Sequence, residues 1–470
     1  MTVETESAVA AQSLSAPASP AGPIEPEEAA ALPKPPVVPL PRAAQMLRFS
    51  MRQIEYVFGA HRRLGDVFRM RTAMPGGPVV TSHPDHVRSL FTAKPELAPS
   101  LTGESPLRPI LGTRSVLTAV GERHMRQRKL LLPPFHGEAI ARYTVMIAEA
   151  AEREIDSWPL DRPFAIAPRM QAITLDVIMA GVFGIEGRPK RGTPEHRMRS
   201  TVKALVGAST SRLALAGELA NIGREEAVGL TKLGVTLLDL PTYAVIRARR
   251  ADEGLAERRD ILSLLLQART EDGEAMDDKE VRDELLTLVL AGHETTANSL
   301  AWTWERLVRN PDAYESLRGA VRSGDGAEEW VEATIVESMR SRPVVPFIGR
   351  RVTVPWRLGH YGVSAGTPIG MSILLVHHRE DLYPEPFEFR PERFLGGRKP
   401  GTYEWIPFGG GIRRCLGAAL AMAEMRVVLE ATARRLDLEA AEAEPERALH
   451  RNVTMIPARG GRVVLRRRHG

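Results

Sequence analysis

Cysteine is almost absent from this chain: 470 residues contain one, Cys415. A lone cysteine excludes an intrachain disulfide and fits a reducing, cytoplasmic setting. Aromatic residues are scarce, at 5%, and the arginines are scattered, so stacking platforms for nucleic acid are missing. The net charge of +5 is too mild to act as a nucleic-acid signature. No uninterrupted apolar run of about 18 residues occurs, so no membrane span is expected. The first residues lack a positively charged segment followed by an apolar core, and no signal peptide is expected. Internal linkers and repeats are also missing after residue 41. That favours one large domain in spite of the length, and the 43% of hydrophobic residues suffice for its core.

What is present points to a mainly α chain with smaller β-sheets. Met1–Pro41 is rich in Ala, Pro, Glu and Ser. Such a segment cannot bury enough apolar surface to offset its ordering entropy, so residues 1–41 are expected to form a disordered tail ahead of a single domain at 42–470. Apolar residues at i, i+3, i+4 spacing predict a succession of helices between 137 and 270. Lys94–Leu117 is a long stretch broken by Pro and Gly, of the kind that is functional or mobile in a compact domain. Near the C-terminus, Val453–Ile456 and Arg462–Leu465 are expected to pair as a terminal hairpin.

Cys415 lies in the run Phe408-Gly409-Gly410-Gly411-Ile412-Arg413-Arg414-Cys415-Leu416-Gly417-Ala418, just ahead of a helical pattern over Gly417–Arg435. A thiol at a helix start meets the positive end of the helix dipole and unpaired backbone N–H groups, and both favour thiolate. Gly409, Gly410 and Gly411 carry no Cβ and let the backbone approach a flat ligand. Arg413 adds a cation for an anionic group on that ligand. The plainer reading is a small buried hydrophobe. A nucleotide loop does not fit, because Arg414 stands where G-x-G-x-x-G needs its third glycine and no G-K-[ST] follows.

Asp277–Arg309 is predicted as one helix, about 45–50 Å long. Asp277 and Asp278 suit its start, and Asn310-Pro311 its end. Its apolar centre is interrupted by Ala291-Gly292-His293-Glu294-Thr295-Thr296. Glycine in mid-helix costs about 1 kcal/mol against alanine, and threonine bonds back to the preceding turn. A kinked core helix is one explanation. A zinc-protease helix is not, because Ala297 stands where H-E-x-x-H needs its second histidine. The alternative is a notch for a small ligand, with Gly292 leaving room, Thr295 offering a hydroxyl and Glu294 relaying protons.

The pattern F-x-x-G-x-R-x-C-x-G at Phe408, Gly411, Arg413, Cys415 and Gly417 resembles the haem-binding signature of the cytochrome P-450 family of haem-thiolate monooxygenases. Ala291–Thr296 resembles that family's distal oxygen-activation motif, A-G-x-[DE]-T-[TS], with every position filled. The resemblance runs from about Pro41 to the C-terminus. It implies a single haem-enclosing domain with a long central helix, non-covalent haem b, and Cys415 as axial ligand of the iron. His124 and Arg128, one helical turn apart, would hold the haem propionates together with Arg350 or Arg351, and spacing favours Arg350. Spacing alone favours a solvated basic helix face for His124 and Arg128, and the resemblance reverses that reading. Glu337 and Arg340 match the family's E-x-x-R pair, linked to a second arginine, here Arg393, as scaffold. Glu294 and Thr295 would deliver protons on the distal side.

The activity implied is insertion of one oxygen atom from O2 into an apolar small molecule, by hydroxylation or epoxidation. No flavin or nicotinamide motif is present, so electrons are expected from a separate ferredoxin or flavodoxin. Arg128, Lys129, Arg413 and Arg414 would give it a basic face. Two rivals remain on the same scaffold. One is a peroxide-driven or electron-independent enzyme. The other is a non-catalytic haem sensor, which has no need of the Glu294–Thr295 pair.

Overall fold

The computed structural model describes residues 16–469 apart from 73–75, 136, 186, 188, 209–216, 218–219, 222, 270–272 and 452. Its axis is the central helix Asp278–Leu307. A capping box starts this helix: the Asp277 carboxylate accepts from Glu280 N, and the Glu280 carboxylate accepts from Asp277 N. All the partners lie within one turn, so the local sequence dictates the start. Every residue from Val281 to Thr287 is buried, which covers all sides of the helix there, as expected for a rod running through a core. The helix Ala167–Phe183 packs along it, and Ala327–Ser341 and Ala418–Arg435 flank it.

Four small sheets flank the helices among the described residues. The largest has the order Val67–Arg69, Val79–Thr81, Pro368–Ser372, Phe347–Arg351. Its middle pair is parallel, with Val80 opposite Gly370. Arg350 lies in its edge strand, opposite Ile369.

The disordered tail expected over 1–41 is corrected from residue 16 onward, and residues 1–15 lie outside the described residues. Ala21–Pro23 is an edge strand, antiparallel to Trp356–Leu358. Ser19 N donates to Asp85 Oδ2 at 2.9 Å, Ser19 Oγ lies 2.9 Å from His86 Nε2, and His83 Nε2 lies 2.8 Å from Pro17 O. Pro26–Ala31 is a short helix with Ala29 buried, and Val38 N donates to Arg69 O. Composition counts only what a segment can bury by itself. Here the edge of the Trp356–Val363 hairpin supplies the missing partners, and proline is tolerated because an edge strand leaves some N–H positions unused.

The expected terminal hairpin is also corrected. Thr454–Pro457 pairs with Ala448–Arg451, and Arg462–Arg468 pairs with Leu436–Ala440 and Pro163–Ala165. Alternation of residue types predicts strands but does not choose their partners.

Candidate functional site

The cysteine loop is fixed from both ends. Ile406 N donates to His377 Nε2 at 2.8 Å, Gly409 N to Ile406 O at 3.0 Å, and Cys415 N to Phe408 O at 2.9 Å. The Phe408 ring meets Trp405 edge-on, with centroids 5.9 Å apart. Gly409 and Gly411 have positive φ, which favours glycine. A Cβ on Gly410 would stand 2.2 Å from the Phe91 ring, and one on Gly411 would stand 2.2 Å from Phe91 O. So Gly410 and Gly411 admit close packing of Phe91, a role the sequence does not mark.

Gly417 caps the helix Ala418–Arg435, and its N–H reaches the Cys415 sulfur. Cys415 has accessible surface, yet burial pushes its thiol pKa up. Both hold for a sulfur that faces a recess inside the molecule. Gly417 N–H, Arg128 and Arg414 pull the other way. The sequence expectation of a thiolate favoured by the helix start is therefore only part of the balance, and burial outweighs it in the protein alone.

Cations gather in a concavity bordered by Ile412 and Arg413 of the cysteine loop. His124, Arg350 and Arg413 line it with Phe91, Val120 and Ile412. His124, 3% exposed, is held down to about pH 4 by burial and by Arg413, Arg128 and Arg350. Burial, then Arg350 and Arg128, bring Arg413 down to about 10. Burial alone does the same to Arg350. The charges acting on His124 and Arg413 are all guanidiniums, so the cluster fits an anionic ligand. Arg351, by contrast, is spent on a bidentate pair with Glu104 at 2.8–2.9 Å. Arg413 is not free either. It donates to the carbonyls of Val116, Leu117 and Ala119 at 2.8–3.2 Å and to Thr102 Oγ1. It clamps the Lys94–Leu117 stretch from below, while Asp283 and Glu284 of the central helix hold Arg114 N and Val116 N from above.

The notch in the central helix is real, but its parts differ from the sequence expectation. Ala291 is exposed, and Leu288 and Thr295 on the same side are half-buried, between the fully buried stretches Val281–Thr287 and Thr296–Glu305. Thr295 Oγ1 donates back to Ala291 O at 2.7 Å. Gly292 does not face this opening: a Cβ there would stand 2.7 Å from Ile178 Cδ1, so its role is packing against Ala167–Phe183. His293, 2% exposed, is stapled to that same helix through Gln171 O.

Glu294 has partners that sequence reasoning missed. Its Oε1 accepts from Arg451 Nε at 2.9 Å, Arg451 Nη2 at 2.6 Å and Thr454 Oγ1 at 3.1 Å. Arg451 is 6% exposed and Glu294 17%. The carboxylate thus pins the Ala448–Arg451 and Thr454–Pro457 hairpin to the central helix. No local pattern marks an arginine 157 residues away. Arg451→Gln is expected to lower stability by about 2–3 kcal/mol, below the ~3–5 kcal/mol of a fully buried pair. It should also speed amide exchange across 448–457, measured by mass spectrometry. Unchanged exchange there would show that something else holds the hairpin.

Glu337 and Arg340 lie beneath, on Ala327–Ser341, both with fully buried side chains. Arg340 Nε meets Glu337 Oε2 at 2.6 Å, and Nη2 meets Oε1 at 2.8 Å. Arg393 Nε stands 3.5 Å from Glu337 Oε1.

The family described as Cytochrome P450 matches residues 33–464. Cytochrome P450 137 of Mycobacterium tuberculosis is 37% identical over 446 residues, covering 93% of this chain and 92% of that protein. Cytochrome P450 138 of Mycobacterium bovis is 38% identical over 449 residues, covering 94% and 100%. Among solved structures, cyanobacterial CYP120A1 with retinoic acid bound superposes with a TM-score of 0.78 at 22% identity, covering 93% of this chain and 100% of that one. Among the described residues no helix is long and apolar enough to cross a membrane.

Proposed function

The chain belongs to the cytochrome P450 family of haem monooxygenases, and we propose that it inserts one oxygen atom from O2 into an apolar small molecule, drawing electrons from a separate ferredoxin or flavodoxin. Family members hold haem b non-covalently through a cysteine thiolate. The donor set of this chain fits that group. Cys415 offers a soft sulfur ligand, and the acid-free cluster of Arg128, Arg350, Arg413 and neutral His124 suits two propionates. This constellation is the observation that carries the reading. The bound haem supplies the activation of O2.

The residues of the chain divide the remaining work. Gly417 N–H, Arg128 and Arg414 favour negative charge on sulfur. Leu288, Ala291 and Thr295 line the opening in the central helix, which suits an apolar substrate beside one hydroxyl. Thr295 holds a hydroxyl at the notch; while its hydrogen is given to Ala291 O it presents an acceptor there. Glu294 is its proton source, but only once it lets go of Arg451. Glu337, Arg340 and Arg393 are scaffold. The electron donor meets a basic face made by Arg128, Lys129 and Arg414, with Arg128 donating to Arg414 O at 2.7 Å and Lys129 and Arg414 exposed; Arg413 faces inward and leaves that set.

The test is product formation by the haem-loaded protein with a ferredoxin, its reductase and O2. Product is expected only when reductant and O2 are both present, and its rate should fall as salt rises. Equal turnover in anaerobic buffer without reductant would replace this reading with the electron-independent enzyme, and haem binding without any turnover would replace it with the sensor.

A further inference from the structure

All three donors to the Glu294 side chain use one oxygen, Oε1. Two of them belong to Arg451, which is buried and pairs with no other carboxylate among the described residues. A buried guanidinium stripped of its only acid is strongly destabilising. Glu294 therefore cannot leave for the notch unless another group accepts from Arg451. His293, its neighbour on the central helix, has an acceptor to spare. His293 Nε2 lies 3.1 Å from Gln171 O. A carbonyl only accepts, so Nε2 carries the hydrogen and Nδ1 keeps its lone pair. Nδ1 is buried, and among the described residues nothing donates to it. An empty acceptor in a protein interior calls for an explanation. Burial, then Arg451 and Arg199, bring the His293 pKa down to about 4, so the lone pair is free at neutral pH. Of these two cations, Arg199 is already spent: its Nε and Nη2 donate to Asp176 Oδ1 at 3.0 and 2.5 Å. Arg451 is the one whose acceptor must change.

We propose that Arg451 is shared between two acceptors: it holds Glu294 Oε1 in the resting protein and turns to His293 Nδ1 when the carboxylate swings into the notch. Arg451 and His293 are then positioning residues for the proton relay. The exchange trades one hydrogen bond for another, and the guanidinium keeps all its protons. Neither state leaves a buried cation without a partner. A neutral ring is a weaker acceptor than a carboxylate, so the locked state is the resting one, as the structure has it. Two discrete arrangements of one side chain let protons be released on demand, because whatever favours the second state shifts the population towards it. This deepens the reading of Glu294 as proton source and rests on it.

Nitrogen NMR of the full-length, haem-loaded protein, labelled with 15N-histidine and held in the ferrous carbon-monoxide form, reads the exchange directly. Glu294→Ala removes the first acceptor. Its His293 Nδ1 signal should move towards that of a hydrogen-bonded nitrogen, and adding Arg451→Met should return it to the wild-type position. A signal that does not move in Glu294→Ala overturns the inference and leaves Nδ1 to a buried water. Two further variants separate this role from the staple to Gln171. His293→Gln can still donate to Gln171 O but has no acceptor where Nδ1 stands. His293→Asn sets its Oδ1 near that place and loses the staple. Product formed per reductant consumed should fall about tenfold in His293→Gln, with a larger solvent deuterium isotope effect, and stay near wild type in His293→Asn. The reverse order, an equal fall in both, or a His293→Gln at the wild-type level overturns the inference. A wild type that makes no product with reductant and O2 would instead defeat the reading of the site, and the nitrogen signals would still decide the exchange.

Discussion

Cys415→Ser should leave a folded protein that no longer ligates haem iron through sulfur. Serine keeps the size and the turn, so Cys415 N can still donate to Phe408 O. The groups that favour negative charge on the sulfur also remain: Gly417 N–H, Arg128 and Arg414. A hydroxyl does not respond to them as a thiol does. The thiol starts near 9.0, within reach of a helix start and two guanidiniums, whereas an alcohol stays protonated. The reduced, carbon-monoxide-bound spectrum should therefore lose its thiolate character, and haem should wash out more easily in a transfer assay. Turnover should fall by well more than the ~10–100-fold that outer-shell changes around a metal cost. His124, Arg350 and Arg413 would still attract the anionic edge of the ligand, so some pigment can remain. Pigment held as tightly as in wild type, with an unaltered spectrum, would falsify the assignment of Cys415.

Features written within a turn or two of sequence were legible, and features written across the chain were not. The capping box at Asp277 and Glu280 is local. So is the helix start behind Cys415, because glycine, cysteine and glycine sit within a few residues. By contrast, Ala21–Pro23 looks like part of a loose tail until Trp356–Leu358 is placed beside it. Arg451 has no motif at all; only the folded hairpin brings it to Glu294. Gly292 shows the subtler limit. Its lack of a Cβ was visible, but the direction of the missing atom depends on how Ala167–Phe183 crosses the central helix, and that places Ile178 there. Arg413 shows it again, since its acceptors are loop carbonyls about 295 residues away. Chemistry-bearing residues were found by type and spacing; their partners depend on packing between distant segments.

Those long-range contacts make Glu337→Ala the other substitution with a very large effect, and here the expected loss is of the fold. Arg340 is fully buried, and its guanidinium is saturated. Besides the two bonds to Glu337, it donates to His377 O at 2.7 Å, Pro386 O at 2.8 Å and Glu388 O at 3.2 Å. Its plane also lies 5.2 Å from the Tyr383 ring. Glu337 supplies the only opposite charge in that set and also accepts from Arg390 N at 2.8 Å. The pair ties Ala327–Ser341 to 377–393, the segment leading into the cysteine loop, where His377 Nε2 receives Ile406 N. Removing the carboxylate strands a buried cation, which costs about 3–5 kcal/mol. It also orphans the Arg390 N–H, which adds about 1–3 kcal/mol. A domain with about 5–15 kcal/mol in total retains little after that, so Glu337→Ala should be recovered as insoluble or haem-free protein. Glu337→Gln keeps the shape and an acceptor oxygen and should lose less. Replacing Glu337 and Arg340 together by methionine removes both charges and should recover part of the loss, because no unpaired ion is left behind. Urea unfolding of whichever variants stay soluble would rank them. A soluble, haem-replete Glu337→Ala protein with the wild-type unfolding midpoint would show that the buried ion pair does not hold the cysteine loop in place.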